Sequence, residues 1–260
     1  MIRTLFIIAG AALVLCIAAL GGAVALGGHD LQREGWAWTI KGDNDESVRF
    51  ERIKGDGTDD LGPFTTRTLA WAGGETLTVD SSIHVDYVQG GANTVVITGP
   101  KALADRVRLT DGRLSMGDGD ERVVFGWSHG NFSARSERDE LKVVVTAPNV
   151  RRFVANGSGD LNIGAYDQPS LSLTVSGSAD VFATGRTQAL DVDINGSGDA
   201  DLRTLAARDA TVDISGSGDA VVAPTGDALV RISGSGDVGL ATHPAKLTSE
   251  VSGSGDVYQD

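Results

Sequence analysis

A four-residue motif returns six times in the C-terminal half of this 260-residue chain. The copies are Gly157-Ser158-Gly159-Asp160, Gly177-Ser178-Ala179-Asp180, Gly196-Ser197-Gly198-Asp199, Gly216-Ser217-Gly218-Asp219, Gly234-Ser235-Gly236-Asp237 and Gly253-Ser254-Gly255-Asp256. Successive aspartates stand 20, 19, 20, 18 and 19 residues apart. A fixed period near twenty marks a solenoid, in which each repeat is one coil that buries its apolar side only against its neighbours.

Aligned on the aspartate, the other positions fall into columns. Five, seven and nine residues before it stand Val175, Leu173 and Leu171, then Ile194, Val192 and Leu190, then Ile214, Val212 and Ala210, then Ile232, Val230 and Ala228. One and three residues after it stand pairs such as Leu161 and Ile163, or Ala200 and Leu202. Polar residues fill the gaps, which is the period-two alternation of a strand with one buried face. Each coil therefore reads as strand, tight glycine corner, second strand and longer return. Corners need positive φ or close backbone approach, and glycine supplies both. At about 3.3 Å per residue a coil traces roughly 60 Å, enough for a flattened or three-sided shape. The expected fold is all-β: a right-handed parallel β-helix of about 19 residues per coil, since parallel crossovers are right-handed by default.

Upstream, Leu77–Val79, Thr94–Thr98, Val107–Leu109, Arg113–Met116 and Leu141–Val145 read as strands, with Asp111-Gly112 a hairpin turn. Residues 69–150 are expected to be irregular coils starting the same core, and 151–257 the regular Gly-Ser-Gly-Asp coils. Residues 29–68 contain two acidic, glycine-rich runs and read as a linker with short strands. Residues 4–26 carry no charged side chain and come directly after Arg3. This segment within 1–28, expected to be an apolar helix, is long enough to span a bilayer and serve as a transmembrane anchor. It equally fits a signal peptide, because Gly21-Gly22 breaks the helix and Ala23-Val24-Ala25 resembles a cleavage site. Either reading exports the rest of the chain. Cys16 is the sole cysteine and lies in that segment, so disulfides cannot brace the exported part.

The stretch Asp193-Ile194-Asn195-Gly196-Ser197-Gly198-Asp199 and its five relatives resemble the bacterial auto-transporter adhesin head GIN domain family. The strand and proline lead-in Leu141–Val150 shares the resemblance, which covers roughly 69–257. It implies a parallel β-helix, export to the cell envelope and an adhesive role, and it carries no catalytic residues. The acidic segment at 41–60 departs from the pattern.

The net charge is −13, and an acidic surface repels phosphate backbones, which argues against nucleic-acid partners. Six carboxylates about 5 Å apart would cost each adjacent pair roughly 0.8 kcal/mol in bulk water. The expectation is that Asp160, Asp180, Asp199, Asp219, Asp237 and Asp256 offset this by accepting hydrogen bonds from corner N–H groups. The alternative is a calcium ladder using Asp191, Asp193, Asp199, Asp201 and Asp213, since calcium takes six to eight oxygen ligands. A period of nineteen does not supply the calcium-binding nonapeptide turn. The corners at Gly157, Gly177, Gly196, Gly216, Gly234 and Gly253 are assigned a structural role, and no cofactor is expected.

His29, His84, His129 and His243 lie in no recognisable catalytic motif. A Ser/His/Asp site assembled from distant coils, and a carbohydrate-active enzyme using Asp191 and Asp193, are the catalytic alternatives. Trp36, Trp38, Trp71, Trp127, Tyr166, Phe182 and Tyr258 could line a sugar-binding strip or pack in the core. The leading expectation is an exported, non-enzymatic envelope protein whose solenoid binds an envelope protein or a glycan. The second is a membrane-anchored envelope-stress accessory protein. The last coil has no cap legible in the sequence, so weak self-association through that end, or a cap folded from 29–68, is also expected.

Overall fold

The computed structural model describes residues 62–117 and 140–259, together with the backbone of 36–42, 48–53, 121–128 and 131–136. In chain order the first half holds strands β1 (Trp36–Gly42), β2 (Val48–Ile53), β3 (Phe64–Ala70), β4 (Thr76–Val79), β5 (His84–Gln89) and β6 (Thr94–Pro100). After these come helix α1 (Lys101–Ala104), β7 (Val107–Thr110), β8 (Arg113–Met116), β9 (Glu121–Ser128) and β10 (Asn131–Ser136). The second half holds β11 (Lys142–Ala147), β12 (Arg152–Ala155), β13 (Leu161–Gly177), β14 (Val181–Gly196), β15 (Ala200–Gly216) and β16 (Ala220–Pro224). It continues with β17 (Asp227–Gly234), β18 (Val238–Leu240), β19 (Lys246–Gly253) and β20 (Val257–Gln259).

From β12 onward the chain is the expected all-β solenoid, and its strands pair in parallel with the coil before and after. The sequence columns are rows in space. Leu173, Val192, Val212 and Val230 are register partners, as are Val175, Ile194, Ile214 and Ile232, and all eight are buried. Register shifts between Ile163 and Tyr166, and between Phe182 and Thr184, mark a second bend, giving each coil three straight runs.

Why the glycines recur is visible at the corners. A Cβ built on Gly218 would lie 2.1 Å from the carbonyl oxygen of Gly198, and one on Gly198 would lie 2.2 Å from that of Ala179. The first glycine of the corner adds a backbone demand, for Gly216 has φ +147°. So the preceding coil imposes the glycine. The Ser178 N–H to Gly157 carbonyl bond is 3.1 Å at the one corner where Ala179 stands in, against 2.8–2.9 Å at the four later corners.

The irregular N-terminal portion supplies a corner that the sequence did not reveal. Gly157 and Gly159 lie against the carbonyls of Ser81 and Ile83, so Ser81-Ser82-Ile83-His84 occupies the place of a seventh Gly-Ser-Gly-Asp. β4 and β5 flank it and pair with β12 and β13. Beyond β5 and β4 the coil pattern gives way to the antiparallel β3–β6–β11 ladder and the β7–β8 hairpin. The hairpin turns at Asp111 and Gly112, both at positive φ. Tyr87, Phe153 and Tyr166 fill this wider end as edge-to-face pairs, 5.0 and 6.0 Å between centroids. At the other end β19 is exposed throughout and pairs with β17.

Two expectations change. β1, β2, β9 and β10 form their own four-stranded antiparallel sheet, in the order β10-β9-β1-β2. The short strands expected within 29–68 include β1 and β2, while 121–136, expected among the irregular coils, supply β9 and β10 to the same separate sheet. The physical reason is register: β1 pairs along its whole length with β9, a partner many tens of positions away that local composition cannot indicate. The transmembrane expectation is also corrected. No helix among the described residues is long and apolar enough to cross a membrane; residues 4–26 themselves lie outside the described residues.

Close coil approach predicts that Gly198→Val and Gly216→Val each lower unfolding free energy by about 1–3 kcal/mol. Ser81→Ala, at a corner position that already carries a Cβ and whose buried hydroxyl has no hydrogen-bond partner, should change it far less. Denaturant melts of the three variants check this.

Candidate functional site

The corner aspartates form a directional ladder. Asp180 accepts the N–H of Asp199 at 3.3 Å, Asp199 that of Asp219 at 2.9 Å, Asp219 that of Asp237 at 2.8 Å, and Asp237 that of Asp256 at 2.8 Å. Each corner aspartate's own carbonyl accepts the N–H of the residue just after the aspartate of the previous coil, as from Ala200 to Asp219. The side chain therefore takes up an amide that the turn leaves out of the strand ladder. Four of the six corner aspartates, Asp180, Asp199, Asp219 and Asp237, act this way, each through Oδ1, while Asp160 meets His84 through Oδ2.

The row does not end in aspartate. Going toward the N-terminal end, Asp160 is succeeded by His84 and then by Lys142, the register partner of His84. His84 Nδ1 lies 3.2 Å from Asp160 Oδ2, and Asn162 Nδ2 lies 3.0 Å from His84 Nε2 and 2.9 Å from Asp86 Oδ1. Lys142 Nζ is 3.0 Å from Asp86. Burial opposes ionisation of Asp86, but the hydrogen bonds from Asn162 and Lys142 outweigh it and hold the carboxyl below its ordinary range. Ser82 and Ser158 share a hydrogen bond of 2.8 Å beside this group. Together Ser82, His84, Leu141, Lys142, Ser158, Gly159 and Asp160 line a cleft of about 510 Å³. No local motif betrays it, because its members come from segments far apart in the chain. The only signal in the sequence was Lys142, a charged residue near the start of the strand expected at Leu141–Val145.

Serine, histidine and aspartate do meet here, so the catalytic alternative must be weighed on geometry. Asn162 donates to Asp86, which orients its amide nitrogen, and the same nitrogen faces His84 Nε2. Nε2 is then an acceptor already in use, and Nδ1–H donates to Asp160. Neither ring nitrogen is left to take a proton from a serine hydroxyl, which nucleophilic catalysis by a triad requires.

The five aspartates considered for calcium are spread over four rows, and only Asp193 and Asp213 share one. Asp193 and Asp213 are register partners, Asp191 neighbours Thr211, and Asp201 lies on the row of Phe182. Asp199 belongs to the corner ladder. Asp213 pairs with Arg231 at 3.2 Å, Asp201 with Arg203 at 2.8 Å, and Asp193 accepts from Asn195 at 2.8 Å. Among the described residues no three His, Cys, Asp or Glu side chains converge to hold a metal ion. Partial burial, with Asp213 and Asp193 nearby, pushes the Asp191 carboxyl above its ordinary range. The side chains of Trp36, Trp38 and Trp127 lie outside the described residues, and the other aromatic candidates divide into buried and exposed. Tyr166 and Trp71 are buried, and burial raises the Tyr166 phenol. Phe182 and Tyr258 are 47% and 46% exposed on one outward row, which runs Asp86, Asn162, Phe182, Asp201, Val221, Gly239, Tyr258.

The ladder predicts that Asp219→Ala costs about 1 kcal/mol by orphaning the Asp237 N–H, and that Asp219→Asn, which keeps an oxygen acceptor, restores most of it. Paired melts decide. Asp191 has a folded pKa above its unfolded one, so its ionisation disfavours the folded state as pH rises through that window. Asp191→Asn should therefore raise Tm slightly at pH 7, with the gain vanishing below about pH 4. Millimolar calcium should leave Tm unchanged, whereas a true site at a hundredfold excess over Kd would add about 2.7 kcal/mol.

Residues 75–244 match the family model described as putative auto-transporter adhesin, head GIN domain. No curated protein matches the chain. Among solved structures, a putative adhesin from Bacteroides fragilis is similar with TM-score 0.51 and 17% identity, covering 76% of this chain and 97% of that one. A putative lipid binding protein from Parabacteroides distasonis aligns with TM-score 0.47 and 16% identity, over 76% and 97% of the two chains. A putative adhesin from Parabacteroides merdae does so with TM-score 0.45 and 20% identity, over the same shares. The chain belongs to the auto-transporter adhesin, head GIN domain family, and the described part of it is a β-solenoid.

Proposed function

We propose that this protein is an adhesive binding module of the cell envelope, exported by its N-terminal segment and acting through the outward row that carries Phe182 and Tyr258. The observation that carries this is exposure of two large aromatic rings on a straight, stacked surface. Exposed aromatics flanked by carboxylates suit recognition of a partner better than they suit a solvated wall. Stacked coils hold that surface rigidly, so little ordering cost remains to be met on binding.

The solenoid winds right-handed in this reading, as parallel crossovers do by default. The N-terminal segment acts as a signal peptide, cut after Ala23-Val24-Ala25, so that the mature chain starts at Leu26. Sequencing the N-terminus of secreted material tests that, and a retained Met1 would refute it.

Adhesion itself is tested with the full mature chain on latex beads, scored for retention on bacterial and host-cell surfaces. Beads should be retained, and Phe182→Ala with Tyr258→Ala should reduce retention several-fold while leaving melting unchanged. Retention no greater than that of uncoated beads on every surface would refute the adhesive reading.

A further inference from the structure

The cleft at the head of the aspartate row has features of a small-ligand site. Its volume of about 510 Å³ falls within the roughly 300–1,000 Å³ of such sites. Its walls combine hydroxyls, an ammonium, a carboxylate and one apolar side chain, Leu141.

The free valences say what would fit. Lys142 carries three donors and directs one to Asp86. Of the Ser82 and Ser158 hydroxyls, one donates to the other, leaving one O–H to point outward. Asp160 meets His84 through Oδ2 and retains further lone pairs. The cleft thus presents donors and acceptors side by side, the pattern that a pair of neighbouring sugar hydroxyls complements. Charge narrows the class. Asp86 offsets Lys142, and Asp160 leads into a row of further aspartates, so an anionic ligand would be repelled.

A second, independent observation points the same way. Phe182 is not among the residues lining the cleft; it is the register partner of Asn162, the residue that contacts His84, and is half exposed on the outward row that the two share. An apolar ring beside a cluster of polar groups matches a pyranose, whose C–H face is apolar and whose rim is hydroxylated. We propose that this cleft, with Phe182 as its platform, binds a neutral or amino-substituted saccharide unit. The proposal rests on the adhesive reading and assigns it a ligand class and a site.

The test uses the full mature chain and ligand-observed NMR with methyl glycosides of neutral hexoses and of N-acetylhexosamines, with sialic acid and inorganic phosphate as anionic probes. At least one neutral probe should bind, and both anions should not. Asp160→Asn and Phe182→Ala should each weaken that binding at least tenfold, while Asp237→Asn, several coils away on the same row, should leave it unchanged. Melting curves confirm that each variant is folded; Phe182 is exposed, so its truncation keeps the question open even if Asp160→Asn proves unstable. Binding of neither neutral class, equal binding by the Asp160 and Phe182 variants, or preference for an anion would each overturn the assignment. If coated beads still adhere while no neutral sugar binds, the adhesive reading stands and the saccharide site falls.

Discussion

Everything in the regular part of this molecule depends on how closely one corner backbone approaches the next. The carbonyl oxygen of each corner sits where a Cβ of the following corner would be, about 2 Å away in the tightest cases. With that contact in place, adjacent strands stay in register and the apolar columns close over one another. Without it, the coils would splay at the turn and the columns would admit water. The requirement is a nearest-neighbour one, which is why stability in such a fold is close to a sum over adjacent coils.

The same logic explains the departures. Ser81 and Ile83 stand where glycines stand elsewhere; beneath their flanking strands lie β8 and β11, and no Gly-Ser-Gly-Asp corner is found there among the described residues. Ile83 is buried and adds to the core rather than colliding with a carbonyl. At the other end, Leu247 and Val251 continue the buried columns yet are 41% and 43% exposed, since no further coil is stacked on them. Ser249 and Gln259 replace the apolar residues of their columns, which lessens the apolar area shown to water.

The aspartates add a second consequence of stacking. The carboxylates of Asp180, Asp199, Asp219 and Asp237 each serve the next coil's amide, so along that edge the repulsion between like charges is met by hydrogen bonds to N–H groups. At the N-terminal end the row meets His84 and Lys142, and the change of charge creates a cleft unlike the rest of the edge. The saccharide-binding reading draws on that contrast between a repetitive wall and a single irregular end, and the adhesive reading on the exposed rings of the outward row.

Spacing and alternation alone determined the period, the corner residues, the inward columns and the hairpin at Asp111-Gly112, because these arise from neighbours in sequence and from the geometry of strands and turns. Membership of the adhesin family was legible for the same reason: its mark is a local motif repeated. Only the tertiary structure could decide the sheet of β1, β2, β9 and β10, the seventh corner and the cleft. Those depend on pairings such as Trp36 with Trp127, or Lys142 with His84 beside Asp160, between residues many tens of positions apart. No local pattern encodes such a meeting; it is set when the chain has folded and the register of distant strands fixes which side chains share a face.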